Sequence, residues 1–287
     1  MEYPVIDLSQ WQQIGEGGNG KTYANPDRPE DILKVNNDRL NNFEFVKHEY
    51  DVTKAVEALG ISVPAMREIV RVGNGFATIS QRIHNKKSLS RICKDEPERT
   101  AEVGRLLAQK GKELFATPCN NDFFPSRKEQ ALWAIEHVNY VSKKNRKLIR
   151  AFIETIPEAN TCVHGDFQTG NLIKSGDSFY WIDLDRFAHG DPMFDIGHLF
   201  QICEFYAPMK RVQDIFHMTL EQFHALWDAF AKEYTGQEDH ADFDKLAGKF
   251  ACVDIVVRAR FIMPTFMESL FYRMQVKKLV KGYFNQD

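Results

Sequence analysis

Ten residues near the start of the chain, Ile14 to Tyr23 (IGEGGNGKTY), restrict the folds open to it, because they satisfy two spacing patterns that demand different backbones. Gly15, Gly17 and Gly20 fit G-x-G-x-x-G, while Gly15, Gly20, Lys21 and Thr22 fit G-x-x-x-x-G-K-T. The second pattern must run directly into a helix whose N-terminal N–H groups face a bound phosphate. Here Thr22 is followed by YANPDRPED, and Pro26 and Pro29 would break such a helix in its first turns. The glycines are therefore expected in a β-hairpin, where the missing Cβ lets the backbone lie close over phosphates. An ordinary flexible loop is the bland alternative.

The hydrophobic pattern then changes character along the chain. Asp31 to Val35 (DILKV) predicts a strand with Leu33 and Val35 on one face and Ile32 and Lys34 on the other. Leu40 to Leu59 carries apolar residues at helical spacing and is stopped by Gly60. Met66 to Val72 and Phe76 to Ile83 flank Gly73, Asn74 and Gly75, a strong hairpin signal. From Ser88 onward the periodicity is helical, over Glu102 to Phe115, Lys128 to Val141, Lys144 to Ile156 and Phe194 to Phe205. Thr219 opens a further helix with capping-box spacing to Gln222 and Gly236 at its end, and Asp242 to Arg260 and Phe266 to Lys281 complete the set. This predicts an α+β chain with a boundary near His84, dividing it into residues 1–84 and 85–287.

Composition limits what such a chain does. With 43% apolar and 27% charged residues it reads as globular, and a net charge of −3 without a long basic run advertises no nucleic-acid surface. Five scattered cysteines without C-x-x-C spacing read as free thiols of a reducing cytoplasm. The first residues, MEYPVIDLSQW, lack the pattern of a signal peptide, and no segment reaches the length of a membrane helix. The expectation is a cytoplasmic protein that binds neither membrane nor nucleic acid. The nine histidines form no zinc-binding array.

The stretch Cys162 to Leu172 (CVHGDFQTGNL) places Asp166 five residues before Asn171, and Asp183 follows in YWIDLD. D-x-x-x-x-N is the spacing of a phosphoryl-transfer loop, in which the aspartate accepts the proton of the attacking hydroxyl and the asparagine holds magnesium. An apolar run ending in Asp183 would deliver one carboxylate to the metal opposite the asparagine, with Asp185 beside it.

With these residues the sequence resembles the aminoglycoside phosphotransferase and choline kinase-like family, small-molecule kinases of the protein-kinase fold. His164, Gly165, Asp166 and Asn171 match its H-G-D-x-x-x-x-N loop, Ile182 and Asp183 match its metal-binding segment, and Gly190, Asp191, Pro192 and Asp195 match the segment that follows. The resemblance implies a two-lobed kinase-like fold, with a small antiparallel-sheet N-lobe bearing one main helix and a larger helical C-lobe holding catalytic loop and acceptor site. It implies transfer of the γ-phosphoryl group of ATP, or another nucleoside triphosphate, with Mg2+, to a hydroxyl of a small molecule. Asp166 is then the catalytic base, and Asn171 and Asp183 are the metal ligands. Gly15, Gly17, Gly20 and Lys34 hold the phosphates, with Glu49 paired to Lys34, and Gln81 and Ile83 are placed by position at the adenine. Asp195 would brace the loop, and His164 would pack it through backbone hydrogen bonds.

Only seven residues separate Asp183 from Asp191, which leaves little room for a protein-kinase activation segment. A nucleotide-binding pseudokinase or regulatory module without turnover is the alternative function. Glu238, Asp239, Asp242 and Asp244 form an acidic cluster, which the start of a helix explains by capping and dipole. The last helix is basic, with Arg273, Lys277, Lys278 and Lys281. The expected acceptor is therefore smaller or less cationic than an aminoglycoside. Oligomeric state is not legible from these residues.

Overall fold

A computed structural model describes residues 2–17, 20–37, 40–119, 122–261 and 265–284. The chain divides into two compact units, residues 1–87 with 172–185, and residues 88–171 with 186–287.

The first unit is built on a five-stranded antiparallel sheet of order β1-β2-β3-β5-β4. Its strands are β1 (Gln12–Gly17), β2 (Gly20–Asn25), β3 (Arg28–Asn36), β4 (Met66–Val72) and β5 (Gly75–Gln81). The glycine-rich segment is the β1–β2 hairpin, with Gly17 paired to Gly20; its tip, Gly18 and Asn19, lies outside the described residues. No helix begins at Thr22, which stands in β2 opposite Lys34. Between β4 and β5 the turn residues are Gly73 and Asn74, and Gly73 takes a φ of +56° that a Cβ would strain. Helix α1 (Phe43–Ala58) is capped by the Asn42 side chain, ends before Gly60 at a φ of +81°, and packs on β4 and β5.

Strand alternation sorts β3 as its sequence requires. Leu33 and Val35 join Trp11, Val70, Ala77 and Ile79 in the core, while Lys34 and Ile32 turn to the other face beside Thr78 and Ser80. Lys87–Ser88 forms the two-residue β6 where the units meet in sequence. Residues 172–185 lie far beyond the expected boundary yet belong to this first unit. They form the hairpin β8 (Leu172–Ser175) and β9 (Ser178–Trp181), tied down where the Trp181 N–H donates to Ser62 O and the Ser175 hydroxyl donates to His84 O.

The second unit is helical, running through α2 (Leu89–Asp95), α3 (Thr100–Phe115), α4 (Arg127–His137), α5 (Lys143–Thr155) and α6 (Met193–Phe200) to α7 (Lys210–Phe216), α8 (Leu220–Thr235), α9 (Ala241–Phe261) and α10 (Phe266–Tyr283). The predicted capping box of Thr219 and Gln222 is formed, and Gly236 closes α8 at a φ of +71°. Past α6 the helix widens into a π segment over Gln201–Tyr206. Packing runs α3 on α8 and α6 on α9, and both contacts depend on glycine: a Cβ on Gly104 would stand 2.4 Å from Leu226 O, and one on Gly197 2.4 Å from Phe250 Cβ. A short ladder of β7 (Cys162–Val163) with β10 (Ala188–His189) leads into the loop that carries Asp166. All five cysteines are free and buried.

Candidate active site

In the first unit, a cavity of about 200 Å³ is lined by Ile32, Lys34, Glu49, Thr78, Ser80 and Ile83, and by Trp181 to Leu184 of the returning segment. Lys34 Nζ lies 2.5 Å from Glu49 Oε1 and 3.8 Å from Asp183 Oδ1, and Asn36 Nδ2 donates to the other Glu49 oxygen at 3.3 Å. Burial works against the Lys34 charge, but Glu49 and Asp183 outweigh it and raise its pKa. Asp183 adopts a φ of +57°, a left-handed backbone uncommon outside glycine, and its side chain is 53% exposed. Gly20 packs so closely on β3 that a Cβ would meet Val35 O at 2.3 Å. The Gln81 N–H is already donated to Ala65 O, whereas Ile83 lines the cavity.

Lys86 also lines this cavity, and sequence reasoning missed it. Burial pulls its pKa below the ordinary lysine value, with Asp183 opposing. A single lysine beyond a strand carries no sequence signal to distinguish it from a solvated one.

In the second unit, the loop from His164 to Asn171 is held from several sides. The N–H groups of His164 and Gly165 donate to the two oxygens of Asp195 at 2.5 and 2.8 Å, so the first turn of α6 supports the loop backbone. His164 is buried, and its Nδ1 accepts the Asp166 N–H at 3.3 Å. Gly165 has a φ of +81°, and a Cβ there would collide with the Arg127 guanidinium and Arg186 O, themselves hydrogen-bonded. Phe167 is fully buried against Phe115 of α3 and Phe230 of α8.

These anchors leave the Asp166 side chain 28% exposed. Asn171 Nδ2 donates to Asp166 O at 2.8 Å and to Oδ2 at 3.0 Å, so the amide oxygen Oδ1 is the Asn171 side-chain atom not engaged with Asp166. The other carboxylate oxygen, Oδ1, lies 3.0 Å from His198 Nε2. Burial opposes ionisation of Asp166, but the His198 hydrogen bond and the charges of His198 and Arg186 hold it well below the usual carboxylate range.

The oxygen donors fit a hard divalent ion. Asn171 in the second unit offers an amide oxygen and Asp183 in the first an exposed carboxylate, each by itself the kind of oxygen donor that magnesium accepts beside water and phosphate. Among the described residues no three His, Cys, Asp or Glu side chains converge on a metal position.

Residues 10–233 match the APH phosphotransferase enzyme family, and the chain belongs to that family. It is by class a small-molecule kinase. Among solved structures it is similar to a choline/ethanolamine kinase family protein from Mesorhizobium loti, at 13% identity over 94% of this chain and 88% of that one, with a TM-score of 0.58. It is similar also to a thermostable mutant of the aminoglycoside phosphotransferase APH(4)-Ia in ternary complex with AMP-PNP and hygromycin B (15% identity, 97% and 95% covered, TM-score 0.61). A third is ADP-bound APH(2'')-Ib (15% identity, 94% and 92% covered, TM-score 0.57). At this identity the likeness establishes the shared protein-kinase-like fold. No curated protein sequence matches significantly.

Proposed function

We propose that the protein transfers the γ-phosphoryl group of ATP, or another nucleoside triphosphate, to a hydroxyl of a small molecule. The observation that carries this reading is the Asp166 carboxylate, ionised, partly exposed and pinned at both oxygens by Asn171 and His198. A group so held orients an incoming hydroxyl and accepts its proton as the oxygen attacks phosphorus. Lys34, steadied by Glu49, sets a positive charge toward the phosphates, and the β1–β2 hairpin with Gly15, Gly17 and Gly20 covers them. Asn171 Oδ1 and Asp183 would hold Mg2+, whose charge supports the leaving phosphates. Ile83 offers its backbone to the base; Gln81, its N–H committed to Ala65, shapes the same wall. The similar structures bound to AMP-PNP and to ADP support nucleotide use.

For the acceptor, we infer a compound less cationic than an aminoglycoside. Asp239 caps α9 by accepting the Ala241 N–H, and Asp244 accepts from the Trp227 indole and faces His240. Glu238 pairs with Lys232, and Asp242 with Lys245. Every carboxylate of the acidic cluster thus has a partner within the chain, and α10 adds basic residues. We place the protein in the cytoplasm; among the described residues no helix is long and apolar enough to cross a membrane.

The test is a screen of purified protein with Mg2+ and ATP or GTP against sugars, amino alcohols, nucleosides and aminoglycosides. Asp166→Asn should lower turnover of the accepted substrate by about 10² to 10⁴ while nucleotide affinity holds. Wild-type turnover in that variant would refute the assignment.

A further inference from the structure

His198 belongs to none of the motifs read from the sequence, yet it meets the Asp166 carboxylate from within the core, with only 2% of its side chain exposed. It stands three residues after Asp195, so one face of α6 supports both the loop backbone and the loop carboxylate. On its far side Nδ1 lies 3.1 Å from Asp254 Oδ2 and 2.8 Å from an Arg258 guanidinium nitrogen, and Arg258 Nε donates to Asp254 at 2.9 Å. The Asp166 carboxylate, an acceptor 3.0 Å from Nε2, excludes the neutral form with a bare Nε2, and the partners at Nδ1 accommodate the two states that remain. With both ring nitrogens protonated, Nδ1–H donates to Asp254; with Nδ1 bare, it accepts from Arg258. In either state a proton remains on Nε2 and is directed at Asp166 Oδ1.

Resting on the reading of Asp166 as the base, we propose that His198 is its positioning residue: clamped by Asp254 and Arg258 of α9, it donates through Nε2–H and fixes the rotamer that presents the carboxylate to the acceptor hydroxyl. Asn171 holds one oxygen and His198 the other, so the carboxylate has no freedom to turn between turnovers. Loss of the second pin leaves the aspartate charged but swinging about its Cα–Cβ bond. Orientation, rather than binding, is then what suffers.

Two measurements on the full-length protein test this. In protein labelled with ¹⁵N-histidine, the His198 signals, identified by their loss in His198→Gln, should show a protonated Nε2 at neutral and alkaline pH and should shift in Asp166→Asn. An unprotonated Nε2 would overturn the proposal. In the kinetic arm, with an acceptor found by the screen above, His198→Leu should lower kcat about 10- to 100-fold, the scale of orienting partners one shell out, with KM for nucleotide and acceptor little changed. His198→Gln, whose terminal amide N–H reaches the Nε2 position, should recover most of that loss, and the shorter His198→Asn should not. Equal losses in Gln and Asn, or a loss seen in KM, would assign His198 a merely structural role. Asp166→Asn separates the two readings: if it keeps turnover, the base assignment falls and this proposal with it. If it is inactive while His198→Leu matches wild type, only this proposal fails.

Discussion

Replacing Lys34 tests the phosphate clamp and separates it from the rival placed by the same glycine pattern at Lys21. Lys34→Met removes an ammonium 2.5 Å from Glu49 and 3.8 Å from Asp183, leaving the 15%-exposed Glu49 side chain with Asn36 Nδ2 at 3.3 Å. Stripping one partner from a fully buried pair costs about 3–5 kcal/mol, and an exposed pair is worth about 0–1 kcal/mol. Lys34 is 30% exposed, so the cost here falls between these, at ~1–2 kcal/mol. For a chain of 287 residues that lowers Tm by roughly 2–3 °C. The double variant Lys34→Met with Glu49→Leu removes the orphaned carboxylate and should regain most of that stability. Turnover behaves differently. Loss of a cation aimed at developing phosphate charge costs about 10²–10³ in kcat, and the double variant should stay as slow as the single one. Lys21→Met, at an exposed position of β2, should change activity no more than about threefold, a typical surface effect. Thermal melts and initial rates on the same samples read both quantities. Recovery of turnover in the double variant, or a larger loss at Lys21 than at Lys34, would refute the reasoning.

Two further outcomes follow from the packing and charge of the second unit. Gly104→Ala gains about 1 kcal/mol of helix propensity but sets a Cβ 2.4 Å from Leu226 O, overpacking worth about 1–3 kcal/mol. It should be neutral to destabilising by chemical denaturation, whereas Gly282→Ala, with open space in α10, should stabilise by up to ~1 kcal/mol. Expression in a susceptible bacterium should give no strong aminoglycoside resistance; resistance abolished by Asp166→Asn would assign the acidic cluster to the acceptor site instead.

What the sequence disclosed was what local chemistry encodes. The Thr219–Gln222 capping box, the Gly60 and Gly236 stops and the Gly73–Asn74 turn each involve residues within a few positions, and each element formed where those residues place it. Pro26 and Pro29 excluded the helix after the glycine pattern, and β2 stands there. Asp195 braces the loop as the family resemblance implied. The elements not foreseen lack such signals: α2 and α7 are seven residues each, too short to establish a period, and the π segment at Gln201–Tyr206 continues a helical pattern without a break. His198, Asp254 and Arg258 escaped for another reason. Asp254 lies 56 residues beyond His198, and nothing local to either marks the encounter that the packing of α6 on α9 creates.

The return of residues 172–185 to the first unit has a consequence for how the chain is made. Strands β1 to β5 leave the ribosome early, but the hairpin whose Trp181 and Ser175 bond to Ser62 and His84 arrives ~100 residues later. At about 5–20 residues per second, that is a wait of roughly 5–20 s. During this interval Trp181, 5% exposed in the finished protein, is absent, and the surface it covers stands open to solvent or to a chaperone. A fragment ending at residue 87 would carry that exposed surface permanently, and adding the hairpin as a separate peptide should let it close.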